Sequence, residues 1–268
     1  MKKISQVIAL LLCSLMLSSH ATAELSVSPR RIVLDQADRA ATVTLLNRGA
    51  VSETYRIYWV YRRMTEDLNI EAAESADDAG VGDAAAFIRY APRQVTLMPG
   101  ESQTVRLLAR RPADLPEGEY RTHLMFEREP ELITAHTSGE SELSLSIHMA
   151  HGVTIPVIVR HGLETPAAAS MRTDLHGTRD YLQISLTREG PHSLYGQLRA
   201  VHVANGTETV LATVPNFAVY SEVDEANANL PLQWPVGHSR DHGEIHVELF
   251  SNETANEHII ARDVVPLR

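Results

Sequence analysis

Histidine is the side chain whose spacing in this sequence comes closest to that of a metal site. His238, His242 and His246 recur every four residues, and on a helix this interval would place all three imidazoles on one face, where they could bind zinc. Pro235 and Gly243, however, interrupt any helix over this stretch. We therefore expect these histidines to lie on solvated loops or strand faces, and we expect no bound metal.

The patterns of the common catalytic sites are also missing from the sequence. There is no Gly-x-Ser-x-Gly turn for a nucleophilic serine and no glycine-rich loop for a phosphate. Cys13 is the only cysteine, and it falls in a segment that we expect to be removed, so thiol catalysis and zinc–thiolate sites are excluded. We predict that the protein is not an enzyme and that it needs no cofactor.

The strongest pattern in the chain is apolar and covers residues 141–160. Its apolar residues recur at odd-numbered positions: Leu143, Leu145, Ile147, Met149, Val153, Ile155, Val157 and Val159. Alternate side chains of a strand point to opposite faces, so the pattern predicts one strand with an apolar row on a single face. At about 3.3 Å per residue the strand would span roughly 50 Å, far more than the usual strand of about 5–6 residues. Either two packed units share it or part of the row is left open for a partner. We favour an open row.

The start of the chain has the organisation of a secretory signal peptide. Lys2 and Lys3 precede an apolar run at 8–17, and the small residues 21–23 form a cleavage site. We therefore expect residues 1–23 to be removed on export. No later apolar stretch is long enough to span a membrane, and the formal charge of −10 argues against nonspecific binding to nucleic acid.

The rest of the sequence has the pattern of short strands separated by turns. About seven strand-like segments precede residue 160, which is the content of an immunoglobulin-like sandwich. The same pattern of short strands and turns begins again after the glycine and proline of 161–166. We therefore predict an all-β chain with two sandwich domains, at 24–160 and 161–268, and without amphipathic helices.

Four local features give more specific expectations. Pro29 interrupts the first strand, which predicts a sheet edge or a switch between sheets. Residues 87–97 and 102–109 flank a Pro-Gly turn and predict a hairpin. Asn205-Gly206 predicts another hairpin. The acidic segment 65–86 is expected to be a solvated insertion with at most one helical turn.

Four runs of this sequence resemble the periplasmic chaperones of pilus assembly, the PapD-like family. The resemblance is good over about residues 24–160 and weaker over 161–268. The runs are 25–34 (LSVSPRRIVL), 90–106 (YAPRQVTLMPGESQTVR), 115–126 (LPEGEYRTHLMF) and 143–149 (LSLSIHM).

The resemblance implies both an architecture and a function. The fold would be two immunoglobulin-like sandwiches in an L- or boomerang-shaped arrangement. The protein would act in the periplasm, where it would capture, fold and cap pilus or fimbrial subunits by donating a β-strand and deliver them to an outer-membrane usher. Leu143, Leu145, Ile147 and Met149 would be the side chains inserted into the subunit groove. When no subunit is bound, we expect a homodimer to cover the apolar strand.

The family also binds the C-terminal carboxylate of the subunit with two cations in the cleft between the domains. Arg31 is in place to be the first cation, and a guanidinium can bind both carboxylate oxygens. A surface or inter-strand ion pair is the alternative role for Arg31. The second cation is usually a lysine, but Thr154 or Pro156 stands near that position here, and Arg160 and Arg106 are both candidates to replace it.

One function from another class remains open. An exported structural or adhesive sandwich, such as a pilus component or a surface-binding module, would share the signal peptide and the strand pattern. A pilus subunit should lack its own closing strand, whereas this chain has a long additional one after Gly139. This difference favours the chaperone.

Overall fold

The computed structural model describes residues 25–129, 133–135, 145–147, 151–163, 165, 167–253 and 258–267. All regular structure in these residues is β-strand. In chain order the first thirteen strands are β1 (Leu25–Ser28), β2 (Ile32–Leu34), β3 (Ala40–Asn47), β4 (Glu53–Met64), β5 (Ile70–Ala73), β6 (Gly82–Asp83), β7 (Ile88–Ala91), β8 (Gln94–Leu97), β9 (Ser102–Ala109), β10 (Gly118–Arg128), β11 (Ile133–Ala135), β12 (Leu145–Ile147) and β13 (Gly152–His161).

Seven further strands complete the described chain. They are β14 (Ala168–Leu175), β15 (Tyr181–Glu189), β16 (Leu194–Ala204), β17 (Thr207–Val219), β18 (Glu225–Pro231), β19 (Glu244–Ser251) and β20 (Ile259–Pro266). The described residues contain no helix with the length and apolar character needed to cross a membrane. The predicted all-β class is confirmed.

Two sheets form the first sandwich. Sheet A has the order β1-β3-β9-β7, and sheet B has the order β2-β13-β10-β4-β5, with β6 beside β10 and β8 beside β4. Strand β9 illustrates why these segments form a sandwich: Val105 and Leu107 are buried, while Arg106 between them is exposed. This two-residue alternation places one face of the strand in the core and the other in water.

The second sandwich is built in the same way from sheet C, in the order β14-β15-β18, and sheet D, in the order β17-β16-β19-β20. Each sandwich has its own apolar core. The first core includes Leu45, Leu107, Phe126 and Val157. The predicted fold of two β-sandwiches is confirmed, while the boundary between residues 160 and 161 stays a prediction.

The chain passes from one sheet of the first sandwich to the other at Pro29 and again at Pro92. Strand β1 pairs with β3 in sheet A, and after Pro29 β2 pairs with β13 in sheet B, so the predicted switch is confirmed. The hairpin predicted for residues 87–109 is confirmed for Ile88–Ala91, which pairs with Arg106–Ala109, and is wrong for Gln94–Leu97. Strand β7 pairs with β9, but β8 pairs with β4 in the other sheet. Pro92 lies between β7 and β8 and lacks the amide hydrogen that a continuous ladder would require.

The hairpin at Asn205-Gly206 is confirmed. Strands β16 and β17 pair up to Ala204 and Thr207. Asn205 and Gly206 have φ values of 51° and 72°, and two consecutive positive φ angles are what the favoured two-residue hairpin turn requires.

The acidic segment is not the solvated insertion that we expected. It contributes β5 and β6, and Ala76, Ala79 and Ala84 are buried. Leu68 packs against the second core. Most charged side chains of the segment are exposed, and Asp83 is half-buried and accepts a hydrogen bond from the Tyr61 hydroxyl. The acidic composition therefore gave no sign of the buried alanine side chains.

Candidate partner-binding cleft

Strand β13 is at the centre of the candidate site, and its two faces serve different cores. Ile155, Val157 and Val159 are buried in the first core, as their parity predicts. Ile158 points to the opposite face, is fully buried, and belongs to the second core. Two packed units therefore share this part of the strand, and our preference for an open apolar row is wrong for residues 153–159.

The strand is also shorter than the sequence pattern suggested. It begins at Gly152, and the described residue before it, His151, is outside any strand. Of the four predicted groove side chains, Leu143 and Met149 lie outside the described residues. Leu145 and Ile147 lie in β12, whose backbone pairs with Ala135 and Ile133 of β11. The insertion of these four side chains into a partner stays a prediction.

One edge of β13 is partly unpaired. Strand β10 pairs with its whole length, whereas β2 covers only Val157–Val159 on the other side. Within the described part of the chain, no strand lies beside the second edge of Gly152–Pro156. The backbone groups on this edge can therefore pair with an added strand.

The unpaired edge leads into a cleft between the two sandwiches. The cleft has a volume of about 730 Å³. Its lining includes Pro156 at the end of the free edge, Arg31 and Arg160 from the first sandwich, and Tyr195 and Glu253 from the second.

Arg31 lies at the start of β2 and reaches across to the second sandwich. Its Nη2 donates to Ser193 Oγ at 3.1 Å and lies 3.4 Å from Glu253 Oε1. Its guanidinium carbon is 4.5 Å from the centre of the Tyr195 ring. The side chain is only 9% exposed, so the ion pair of Arg31 with Glu253 is largely buried between the sandwiches and does not lie on the surface. The role of Arg31 as an anchor for a partner's carboxylate stays a prediction.

Arg160 brings a second guanidinium to the same carboxylate. Its Nη1 and Nη2 donate to the two oxygens of Glu253 at 2.9 and 3.0 Å, and its Nε donates to Glu119 Oε2 at 3.0 Å. Burial alone would lower the pKa of Arg160, but the hydrogen bonds and charges of Glu253 and Glu119 raise it above its ordinary value. Ser193 donates both its amide and its hydroxyl to Glu119.

The three other candidate positions for the second cation lie in different parts of the first sandwich. Pro156 is on the cleft wall, and Thr154 is two residues earlier in β13. Arg106 is exposed on sheet A and does not line the cleft. Of the two arginine candidates, only Arg160 therefore lies beside Arg31.

Sequence reasoning missed the residues that the second sandwich contributes to this site. Ser193, Tyr195 and Glu253 are more than 160 positions from Arg31. No local spacing connects them with Arg31, because only the packing of the two sandwiches brings them together.

A second polar network crosses the same interface and was also missed. Arg121 of β10 donates from Nη1 and Nη2 to the two oxygens of Glu222, at 2.7 and 2.6 Å. Glu222 Oε1 also accepts the amide hydrogen of Met64 at 2.7 Å. Both side chains of the ion pair are more than nine-tenths buried. Such a pair depends on these contacts because an isolated buried charge is very costly.

Buried imidazoles adjoin both networks. Burial, followed by the charges of Arg121, Arg62 and Arg31, lowers the pKa of His123 to about 3. Burial and the charge of Arg160 also lower the pKa of His192. Both rings are therefore neutral at pH 7.

The histidines whose spacing suggested a metal site make separate contacts. His238 bonds to the ring of buried His202 at 2.8 Å, while His246 lies 3.3 Å from Glu244. Among the described residues, no group of three or more His, Cys, Asp or Glu side chains has an arrangement that could hold a metal ion.

No protein-family model and no curated protein match the sequence. Several solved structures are similar to the chain. One is the YadV chaperone, with 12% identity and a TM-score of 0.45 over 91% of this chain and 100% of the other. Another is the complex of CsuC and CsuE, a chaperone and a tip adhesion subunit from the archaic chaperone-usher Csu pili of Acinetobacter baumannii. It has 13% identity and a TM-score of 0.47, over 89% and 97% of the two chains.

A third is the CupB2 chaperone of Pseudomonas aeruginosa, with 9% identity and a TM-score of 0.45 over 91% and 100% of the two chains.

Proposed function

We propose that the protein is a periplasmic chaperone that captures and caps pilus or fimbrial subunits by lending them a β-strand, and that it delivers them to an outer-membrane usher. The observation that carries the proposal is the continuity of the free edge of Gly152–Pro156 with the cleft that contains Arg31. A partner strand added along this edge would have one end in the cleft.

This geometry also determines which end of the partner would enter the cleft. The guanidiniums of Arg31 and Arg160 suit a carboxylate, and a polypeptide has one at its C-terminus. Strand β13 also runs toward the cleft, from Gly152 to Pro156. A partner whose C-terminus reaches Arg31 would therefore lie parallel to β13.

The apolar residues before β13 would extend the same interaction. Leu143, Leu145, Ile147 and Met149 share a parity, so a strand through them would offer four side chains to the open core of a subunit. Each side chain that is fully buried would contribute about 1.5–3 kcal/mol before the costs of ordering and association.

Co-purification is the experiment that tests this function. The tagged full chain, exported in its bacterial host, should elute with a smaller β-rich protein in a one-to-one complex, which mass spectrometry of the bound protein would identify. Elution without a stoichiometric partner would contradict the proposal and would favour an exported structural or adhesive sandwich.

A further inference from the structure

The carboxylate of Glu253 occupies the position between the two guanidiniums of the cleft. It accepts two hydrogen bonds from Arg160 and lies 3.4 Å from Arg31 Nη2. A carboxylate of the protein itself thus lies where the carboxylate of a partner would bind.

The two arginines hold Glu253 to different degrees. Arg160 makes a two-point contact at 2.9 and 3.0 Å, whereas Arg31 makes a single long contact. Among the described residues, the buried Nε of Arg31 has no hydrogen-bond partner. Glu253 can therefore leave Arg31 and stay bound to Arg160, and this would cost one weak contact.

Access and charge make competition for Arg31 unavoidable. The Glu253 side chain is 24% exposed and lines the cleft beside Arg31, so an incoming anion would meet both groups. Two carboxylates on one guanidinium repel each other at short range. The charges of Arg31 and Arg160 are balanced by those of Glu119 and Glu253. The other two charged residues of the lining, Arg30 and Asp35, are of opposite sign, so the site has no excess positive charge for a second anion.

We propose that Glu253 is an internal competitor for Arg31, which the C-terminal carboxylate of a partner must displace. This inference rests on the proposed function, since it concerns the regulation of the same site. A tethered ligand competes at an effective concentration in the millimolar range, so Glu253 weakens capture and eases release.

The test compares two synthetic probes on the purified full chain. The first is a ten-residue peptide of alternating Leu and Ser with a free C-terminal carboxylate, and the second is the same peptide with a C-terminal amide. Glu253→Gln should bind the carboxylate peptide roughly tenfold more tightly than the wild-type chain, while the amide peptide should bind both proteins equally.

Three variants make this result specific. Glu248→Gln removes a carboxylate charge in β19, at a partly exposed ion pair with Arg199. It should leave the affinities for the carboxylate and amide peptides unchanged. Adding Arg31→Gln to Glu253→Gln should abolish the gain. Glu253→Asp keeps the charge but shortens the reach by one methylene, so it should give part of the gain, and it provides the test if Glu253→Gln does not fold.

Two outcomes would overturn the inference, and they differ in what they say about function. If the chain captures a subunit through Arg31 but Glu253→Gln and Glu253→Asp bind the carboxylate peptide no more tightly than wild type, only the competitor role is wrong. If neither protein distinguishes the carboxylate from the amide and the tagged chain captures no subunit, both the inference and the proposed function are wrong.

Discussion

The guanidinium carbon of Arg121 lies 3.9 Å from the centre of the Tyr220 ring. Arg121 comes from the first sandwich, and Tyr220 lies in the second. Because the same guanidinium also binds Glu222, one side chain joins the sandwiches through both an ion pair and a cation–π contact. Arg121 thus couples the two sandwiches beside Tyr220, which itself lines the cleft.

Arg121→Ala should therefore destabilise the chain strongly. Its removal would leave the buried carboxylate of Glu222 without its counterion, a loss of about 3–5 kcal/mol. Urea denaturation followed by circular dichroism measures this loss. Arg172→Ala, at an ion pair whose side chains are 78% and 61% exposed, is the matched control and should change the unfolding free energy by less than about 1 kcal/mol. Equal effects of the two variants would contradict the buried role of Arg121.

His123 should make stability depend on pH. Its pKa is about 3 in the folded chain and about 6.5 when unfolded. Between these values the unfolded chain binds a proton that the folded chain does not, so this contribution is present at pH 7 and is lost as the pH falls from 6.5 toward 3. The slope from this residue is up to about 1.4 kcal/mol per pH unit.

Substitution of His123 isolates that slope. His123→Phe should flatten the dependence of the unfolding free energy on pH between about 4.5 and 6.5, measured by denaturation at a series of pH values. His176→Phe makes the same substitution at an exposed imidazole and is the matched control for the loss of a histidine. A slope that stays the same in His123→Phe would show that this imidazole is not the proton-linked group.

Arg31→Ala should weaken partner capture by at least tenfold. Hydrogen bonds to charged groups contribute roughly 1.5–3 kcal/mol, and a factor of ten corresponds to about 1.4 kcal/mol. Arg106→Ala is the control, because Arg106 is exposed on sheet A away from the cleft. The amount of co-purified subunit measures the effect, and equal yields from the two variants would exclude Arg31 as the anchor.

Leu145→Asp should abolish the proposed capture while the protein itself stays folded. A charge at this position would enter the apolar groove of the partner without a counterion. Ser146 has the other parity, so in the proposed inserted strand Ser146→Asp would direct its charge away from the groove and should capture the partner normally. Co-purified subunit and the thermal unfolding midpoint are measured for both variants. Capture by Leu145→Asp at the wild-type level would show that this side chain is not part of the interface.

The sequence was informative where a local rule determines the structure. The alternation of β9, the sheet change at Pro29 and the Asn205-Gly206 turn all follow from properties of neighbouring residues. The parity of β13 predicted the buried row of Ile155, Val157 and Val159, but it gave no sign that Ile158 lies in another core, because an isoleucine on the second face is equally compatible with a solvated strand.

The parts that were missed depend on contacts between distant residues. The Glu253 carboxylate meets Arg160 across 93 positions, and the Arg121–Glu222 pair spans 101. Neither pair follows from periodicity. The predicted hairpin at 87–109 failed for β8 for a related reason: Pro92 interrupts the strand, but only the tertiary structure determines which sheet receives each part.

The two-sided burial of β13 has a mechanical consequence. A partner strand bound along Gly152–Pro156 would pull on a backbone that is anchored in both hydrophobic cores immediately beyond Pro156, by Val157 in the first core and Ile158 in the second. Force applied at the free edge would therefore be shared between both sandwiches and would not fall on one of them alone.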